Sequence, residues 1–306
     1  MRIFLFCLAG FLVALGALYV AGVVATSRVE TVDWQMLESM PGAKFVTTKT
    51  GRTHYVDVGE GPPILLMHGS GASLAGWRQG VIQRLAAHRV IAFDYFGNGF
   101  SERNPAFTYG YDLWVSQAVE LLDALKIERV TVIGHSVGGA LACVLAADHP
   151  DRIDHVVTIG TGMTIEPQQF LLLIPGVGEL MLANADSYGA AYPEDNRTAL
   201  DAAYKVRGTR AAFLSYARRQ LTVDGLRLVW GTFEDVRAPI LHLSGSNDVN
   251  IAPAIARELA NRTHGKFVLI EGATHYAHID APDRVAEEVE KFLAEPSVKA
   301  ATAKSN

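Results

Sequence analysis

Three short stretches carry residue types that together could run nucleophilic acyl chemistry. Gly134-His135-Ser136-Val137-Gly138 sets a serine between glycines, directly after the apolar run Val130–Ile133 and at the start of a helical pattern. A serine hydroxyl is a weak nucleophile alone and needs a base to take its proton. In a tight strand-to-helix turn, glycines two before and two after the serine remove side chains that would clash. The N–H groups at the helix start then face a developing oxyanion, the first of them that of Val137. Downstream, Leu243-Ser244-Gly245-Ser246-Asn247-Asp248 and Glu271-Gly272-Ala273-Thr274-His275 each follow a strand-like run. The chain order serine, acid, histidine suits such an elbow. Loops that follow parallel strands leave a sheet on one side, so Ser136, Asp248 and His275 can converge. His275 would take the serine proton, and Asp248 would fix the imidazole tautomer and stabilise the imidazolium. Taken singly, Asp248 reads as a turn residue and His275 as a surface histidine; taken jointly, the three read as a triad.

The elements that must hold these residues alternate as in a mostly parallel sheet. Strands are expected at Lys44–Lys49, Thr53–Val58, Ile64–Met67, Val90–Phe93, Val130–Ile133 and Val156–Ile159, then at Ile240–Leu243 and Phe267–Ile270. Helical spacing runs over Trp77–Ala87, Tyr111–Leu125, Ser136–Asp148, Pro253–Asn261 and Pro282–Ala294. From Gly162 to Val236 the alternation stops, and a helical stretch punctuated by Pro167, Pro175 and Pro193 replaces it. This pattern favours one α/β core with a helical insertion over two sequential domains.

Assembled in this way, the residues resemble the α/β-hydrolase family across Lys44 to Ala294. His68-Gly69-Ser70-Gly71, after a strand, looks like the family's oxyanion loop. The resemblance implies a second oxyanion donor at the N–H of Ser70, with Gly71 as the fallback. Asp94 to Ser101 is similar to the family's D-x-x-G-x-G-x-S turn, which has a structural part. Residues 162–236 sit where the family carries a cap that roofs the site and shapes substrate choice. The implied organisation is an N-terminal apolar segment (1–26), a core in two parts (27–161 and 237–296), the cap (162–236) and a polar tail (297–306). The implied activity is a serine esterase working through an acyl-enzyme on Ser136, with no metal or organic cofactor. The same triad also serves carbon–carbon bond hydrolysis of dienoates and enol-lactone opening. Haloalkane dehalogenases and epoxide hydrolases put aspartate at the elbow, so Ser136 speaks against both. A non-catalytic binding or membrane-tethered protein on the same fold is the rival of another class; all three triad candidates being present argues against it.

Composition narrows the field further. The 306 residues are 49% hydrophobic and 19% charged, enough for a packed core, and the net charge of −5 has no basic footprint for nucleic acid. Cys7 and Cys143 belong to the apolar leader and to a buried helix, which makes a disulfide between them improbable. Gly69-x-Gly71 faintly imitates a dinucleotide fingerprint, but Leu74 stands where the third glycine belongs. His275-x-x-His278 with Asp280 lacks the supporting ligands of a metal motif. His278 is the rival for catalytic base; His275 is preferred because it directly follows the strand and its glycine turn.

Ile3 to Ala25 holds no charged residue, and Arg2 and Arg28 flank it. Twenty-three residues rise about 34 Å as a helix, enough to cross a bilayer. A membrane anchor with the catalytic domain on the non-cytoplasmic side is the expectation. Cleavage after Val23-Val24-Ala25, giving a secreted or periplasmic protein, is the alternative. An anchor and an apolar cap together suggest small-to-medium hydrophobic esters or acyl lipids as substrates.

Overall fold

Eight strands form one sheet: β1 (Lys44–Thr47), β2 (Arg52–Val58), β3 (Pro63–Met67), β4 (Arg89–Phe93), β5 (Val130–His135), β6 (Ile153–Ile159), β7 (Ile240–Gly245) and β8 (Lys266–Ile270). Their order is β1-β2-β4-β3-β5-β6-β7-β8. The β1–β2 and β2–β4 pairs are antiparallel, and every later pair is parallel. The computed structural model describes residues 2–33, 44–78, 80–162, 167–185, 192, 194–222, 225 and 232–295. The tail expected at 297–306 and parts of the insertion lie outside those residues.

Short apolar runs become the central strands because both of their faces are covered. In β3, Ile64 and Leu66 face one cluster of buried side chains while Leu65 and Met67 face another, and all four have no exposed surface. Helices α1 (Arg2–Val29), α2 (Ala75–Arg78), α3 (Val81–Arg84), α4 (Tyr111–Ala124) and α5 (Val137–Asp148) precede the insertion. The stretch Trp77–Ala87, which has the spacing of one helix, is split into α2 and α3. Gly80 makes the break, since a Cβ there would lie 2.8 Å from the His278 carbonyl oxygen.

Between β6 and β7 the chain forms a 3₁₀ segment (Pro167–Leu173), then α6 (Val177–Ala183), α7 (Glu194–Tyr204) and α8 (Thr209–Gln220). Three further helices, α9 (Pro253–Arg262), α10 (Ala277–Asp280) and α11 (Pro282–Leu293), complete the fold. Among the described residues, no strand of the sheet falls inside the insertion. Arg103 ties the core to this layer: its guanidinium donates to the carbonyls of Gly99 and Ser101 and to Thr209 Oγ1 at the start of α8. Burial lowers the Arg103 pKa to about 10.

Residues 27–42, assigned from the sequence to the start of the core, divide differently. Residues 27–29 are the last of α1, and 34–43 lie outside the described residues. The stretch between them docks on the insertion. Glu30 is buried, and its carboxylate accepts the N–H of Gly208 at 2.8 Å and of Arg210 at 2.7 Å, at the first turn of α8. A carboxylate there meets unpaired N–H groups and the positive end of the helix dipole. Val32 bridges Val206, and Asp33 pairs with Arg207 at 2.9 Å.

Candidate active site

The site gathers at the carboxyl ends of β3, β5, β7 and β8. Registers Met67↔Gly134 and Gly245↔Ile270 bring the loops that follow these strands to one edge of the sheet. Ser136 stands between β5 and α5 with φ 53° and ψ −118°, in the left-handed half of backbone space where L side chains are strained. That strain persists because the surroundings hold it. The Ser136 N–H donates to Ile159 O at 2.8 Å, and the Ser136 carbonyl accepts the N–H of Gly139 and Ala140. A Cβ at Gly134 would overlap the Gly138 carbonyl, and one at Gly138 would overlap the Met67 carbonyl, so this turn requires both glycines.

His275 Nδ1 lies 2.9 Å from Asp248 Oδ2, with both residues buried. The other carboxylate oxygen, Oδ1, accepts the N–H of Asn250 at 2.9 Å and of Ile251 at 2.8 Å. An ionised carboxylate only accepts, so the imidazole proton sits on Nδ1 and Nε2 is left as the basic atom. Ser136, His275, Ser70 and Val137 all line one cavity of about 560 Å³. Among the described residues, the sequence-derived candidates thus meet at one place. The N–H of Val137 belongs to the first turn of α5 and has no acceptor within its own helix.

His278, the rival base, is brought near but not into the cavity. It is buried, its ring centroid 4.6 Å from that of Trp77 and 4.4 Å from that of His135. Its Nδ1 has no hydrogen-bond partner among the described residues. Burial, reinforced by His275, pushes its pKa down to about 3, so it stays neutral. Asp280 is engaged by the N–H and hydroxyl of Thr274 at 2.8 and 2.6 Å.

Two further residues brace the base: His135, which the sequence marks as a packing and hydrogen-bonding residue of the elbow rather than a base, and Gly160, which sequence reading missed. His135 has a ring nitrogen, Nε2, 3.0 Å from the His275 carbonyl, where it donates and pins the backbone of the base. Burial, with His278 and His275 nearby, holds the His135 pKa well below its ordinary value, which keeps the ring neutral. Gly160, after β6, has φ +56°, and a Cβ on it would lie 3.1 Å from His275 Nδ1 and 3.3 Å from Asp248 Oδ2. The only sequence signal for Gly160 is a glycine directly after a strand. The loop bearing Ser70 is braced as well. His68 Nδ1 donates to Gly69 O at 2.8 Å, its Nε2 accepts the Tyr95 N–H at 3.3 Å, and the Tyr95 hydroxyl donates to His68 O at 2.9 Å.

Asp94, placed in the turn motif, is a structural hub. It accepts the N–H of Leu74 and Phe100 and pairs with His54 at 2.7 Å. Burial alone would raise its pKa, but the hydrogen bond and charge of His54 bring it below the ordinary carboxylate value.

The far wall of the cavity comes from the insertion. Gln169 and Leu172 of the 3₁₀ segment and Phe213, Tyr216 and Gln220 of α8 line it, beside Tyr111 of the core helix α4. No Lys, Arg, Asp or Glu lines the cavity among the described residues.

Residues 62–191 match the model of the alpha/beta hydrolase fold. The chain is 31% identical over 262 residues to 2-hydroxymuconate semialdehyde hydrolase of Pseudomonas sp. (strain CF600), covering 81% of this chain and 93% of that protein. It is 34% identical over 209 residues to 2-hydroxy-6-oxo-2,4-heptadienoate hydrolase of Pseudomonas putida, covering 64% of this chain and 75% of that protein. Among solved structures, the enol-lactonase from Burkholderia xenovorans LB400 superposes with a TM-score of 0.67 at 27% identity, covering 82% of this chain and all of that one.

Proposed function

The chain belongs to the α/β-hydrolase fold family, and from that premise we propose that it is a serine-nucleophile hydrolase of small carbonyl compounds, acting on the carbon–carbon bond of a dienoate ketone or on an enol lactone. The observation that carries this reading is the meeting of Ser136, the Asp248–His275 pair, Ser70 and Val137 around one cavity. The relatives named dienoate hydrolases and an enol-lactonase supply the substrate class.

Ser136 Oγ adds to the substrate carbonyl as its proton passes to His275 Nε2. Asp248 stabilises the resulting imidazolium. The oxyanion lies on the N–H groups of Val137 and Ser70. Collapse breaks the bond to the enol oxygen or to carbon, and His275 returns the proton to the leaving group. Water, deprotonated by His275, then adds to the acyl-enzyme and releases the acid with Ser136 regenerated. The insertion acts as the cap that selects the acyl group.

The second reading is a carboxylic esterase for hydrophobic esters, favoured by the uncharged lining of the described cavity. An ester brings no carboxylate, whereas a dienoate anion buried there would find no counter-charge among the described lining residues. Helix α1, long and apolar enough to cross a bilayer between Cys7 and Val29, is read as a membrane anchor.

Labelling with a fluorophosphonate and mapping the adduct tests the nucleophile; an adduct on Ser136, absent in Ser136→Ala, is expected. A panel holding a 2-hydroxy-6-oxo-dienoate, an enol lactone and a p-nitrophenyl ester then ranks the readings by kcat/KM. A folded protein that is neither labelled nor active on any of the three would sink the enzyme reading.

A further inference from the structure

Helix α1 does not leave the molecule at its end. It leans on α6 through one stripe, in which Leu15 and Leu18 are half-buried, Gly22 is buried, and Ala25 and Thr26 are half-buried. A Cβ on Gly22 would lie 2.5 Å from Glu179 Cβ, and one on Gly176 would meet the backbone of Leu18 and Tyr19. Residues 18–19 therefore pair with 176 and residue 22 with 179, so the two helices run in the same direction. Leu172 packs against Gly178, 2.8 Å from where a Cβ there would lie, so the segment just before α6 folds back beside the start of that helix, level with residues 18–22 of α1.

This fixes a level. A bilayer core is about 30 Å thick, and helix rises about 1.5 Å per residue. Counting from Ile3, the first residue after Arg2, that thickness takes about twenty residues and ends near Gly22. Residues before Leu18 alone are too few. A bilayer crossed by α1 must therefore overlap the insertion as far as the start of α6, and the 3₁₀ segment lies at the boundary of that overlap.

The surface there matches such a solvent. Pro167 to Gly178 contains no charged residue. Phe170, Leu171, Leu173 and Ile174 are between 39 and 49% exposed, a cluster of large apolar side chains with water as the only alternative neighbour. Gln169 and Leu172, from the same segment, point the other way and line the catalytic cavity. Glu179 and Arg218 sit at the edge of the overlap and neutralise each other at 3.2 Å, and Arg218 Nε donates to Leu172 O at 2.8 Å.

We propose that the 3₁₀ segment is a second membrane contact, seated in the leaflet beside α1, so that the catalytic cavity is filled from the lipid phase by the uncharged esters of the second reading rather than by a dienoate anion. The inference rests on the anchor reading of α1 and goes beyond it, because a tether alone would leave the cavity facing water. One thin wall, apolar outward and cavity-lining inward, separates lipid from Ser136.

The test uses full-length Cys7→Ser protein reconstituted in vesicles of phosphatidylcholine with one-fifth phosphatidylglycerol. An environment-sensitive fluorophore is attached in turn to Val13→Cys, Leu171→Cys, Leu173→Cys and, as the aqueous control, Glu287→Cys. Positions 171 and 173 should emit to the blue of 287 and be quenched by lipids carrying a nitroxide just below the headgroup. Quenching at 13 with water-like emission at 171 and 173 would overturn the second contact and leave the anchor standing. Water-like emission at 13 as well would remove both. A second readout is the Phe170→Ser/Leu171→Ser/Leu173→Ser variant. Its kcat/KM should fall roughly tenfold for an ester that partitions into the vesicles and stay unchanged for a water-soluble short-chain ester. An equal fall for both esters would mean the segment only supports the fold.

Discussion

The floor and the roof of the cavity are built on different principles. On the floor, the ends of parallel strands hold each proposed catalytic residue by short hydrogen bonds that include a backbone group: Ser136 to Ile159, Asp248 to Asn250 and Ile251, His275 to His135. The roof has aromatic, aliphatic and amide side chains on short helices, attached by arginines and by one carboxylate that arrives from the end of α1. On the proposed reading, the floor sets which bond-making is possible and the roof sets what reaches it. A hydrolase can thus keep its chemistry while its roof changes.

The sharpest break on the floor is Ser136→Ala, which should lower kcat by about 10³-fold or more with the thermal midpoint unchanged; His275→Ala should be nearly as severe. His278→Ala, by contrast, should leave kcat within a few-fold, because its ring never reaches the cavity. If kcat of His278→Ala fell as far as that of His275→Ala, the base would have been assigned to the wrong histidine.

Next in size is Gly160→Ala. A methyl group placed 3.1 Å from His275 Nδ1 should shift the base and cost roughly 10²-fold in kcat, with binding of a competitive inhibitor little changed. Unaltered kcat would show that the Asp248–His275 pair tolerates displacement, and the contrast with the roof would weaken.

On the roof, Glu30→Ala removes two charge-assisted hydrogen bonds from the first turn of α8. A loss of about 2 kcal/mol is expected, read as earlier proteolysis of the insertion ahead of global unfolding. Simultaneous loss of core and insertion would mean the two unfold as one body.

The smallest effect is a pH dependence of the floor. His278 is held neutral with a folded pKa of about 3, and His242 with one of about 4, while the unfolded chain protonates both near 6.5. The unfolded state therefore binds more protons below pH 6.5, and stability falls as the pH drops from there toward 4. Each histidine should contribute about 1–2 kcal/mol of that loss between pH 6.5 and 5. Urea midpoints at pH 7.5 and 5 should differ less in His278→Phe than in the parent chain; equal differences would show that His278 is already charged in the fold.

Much of the floor was legible in the sequence because its signals are local. A serine between two glycines after an apolar run, and an acid and a histidine after the next ones, mark Ser136, Asp248 and His275 without knowledge of contacts. Gly160 as a brace and the partner of His135 were not legible, since each acts through space on a residue more than a hundred positions away. The roof gave only its helical character. Neither the docking of Glu30 on α8 nor the inward and outward halves of 167–174 follows from periodicity, because both depend on where distant segments settle.

The Glu30 contact also sets an order of events in biosynthesis. Its hydrogen-bond partners lie 178 and 180 residues downstream. At roughly 5–20 residues per second, Glu30 is made some 10–40 seconds before Arg210. For that interval α1 exists without the surface it will lean on, and its apolar faces must be shielded by whatever surrounds the nascent chain. This contact can therefore form only after the first turn of α8 has been made, long after α1 itself.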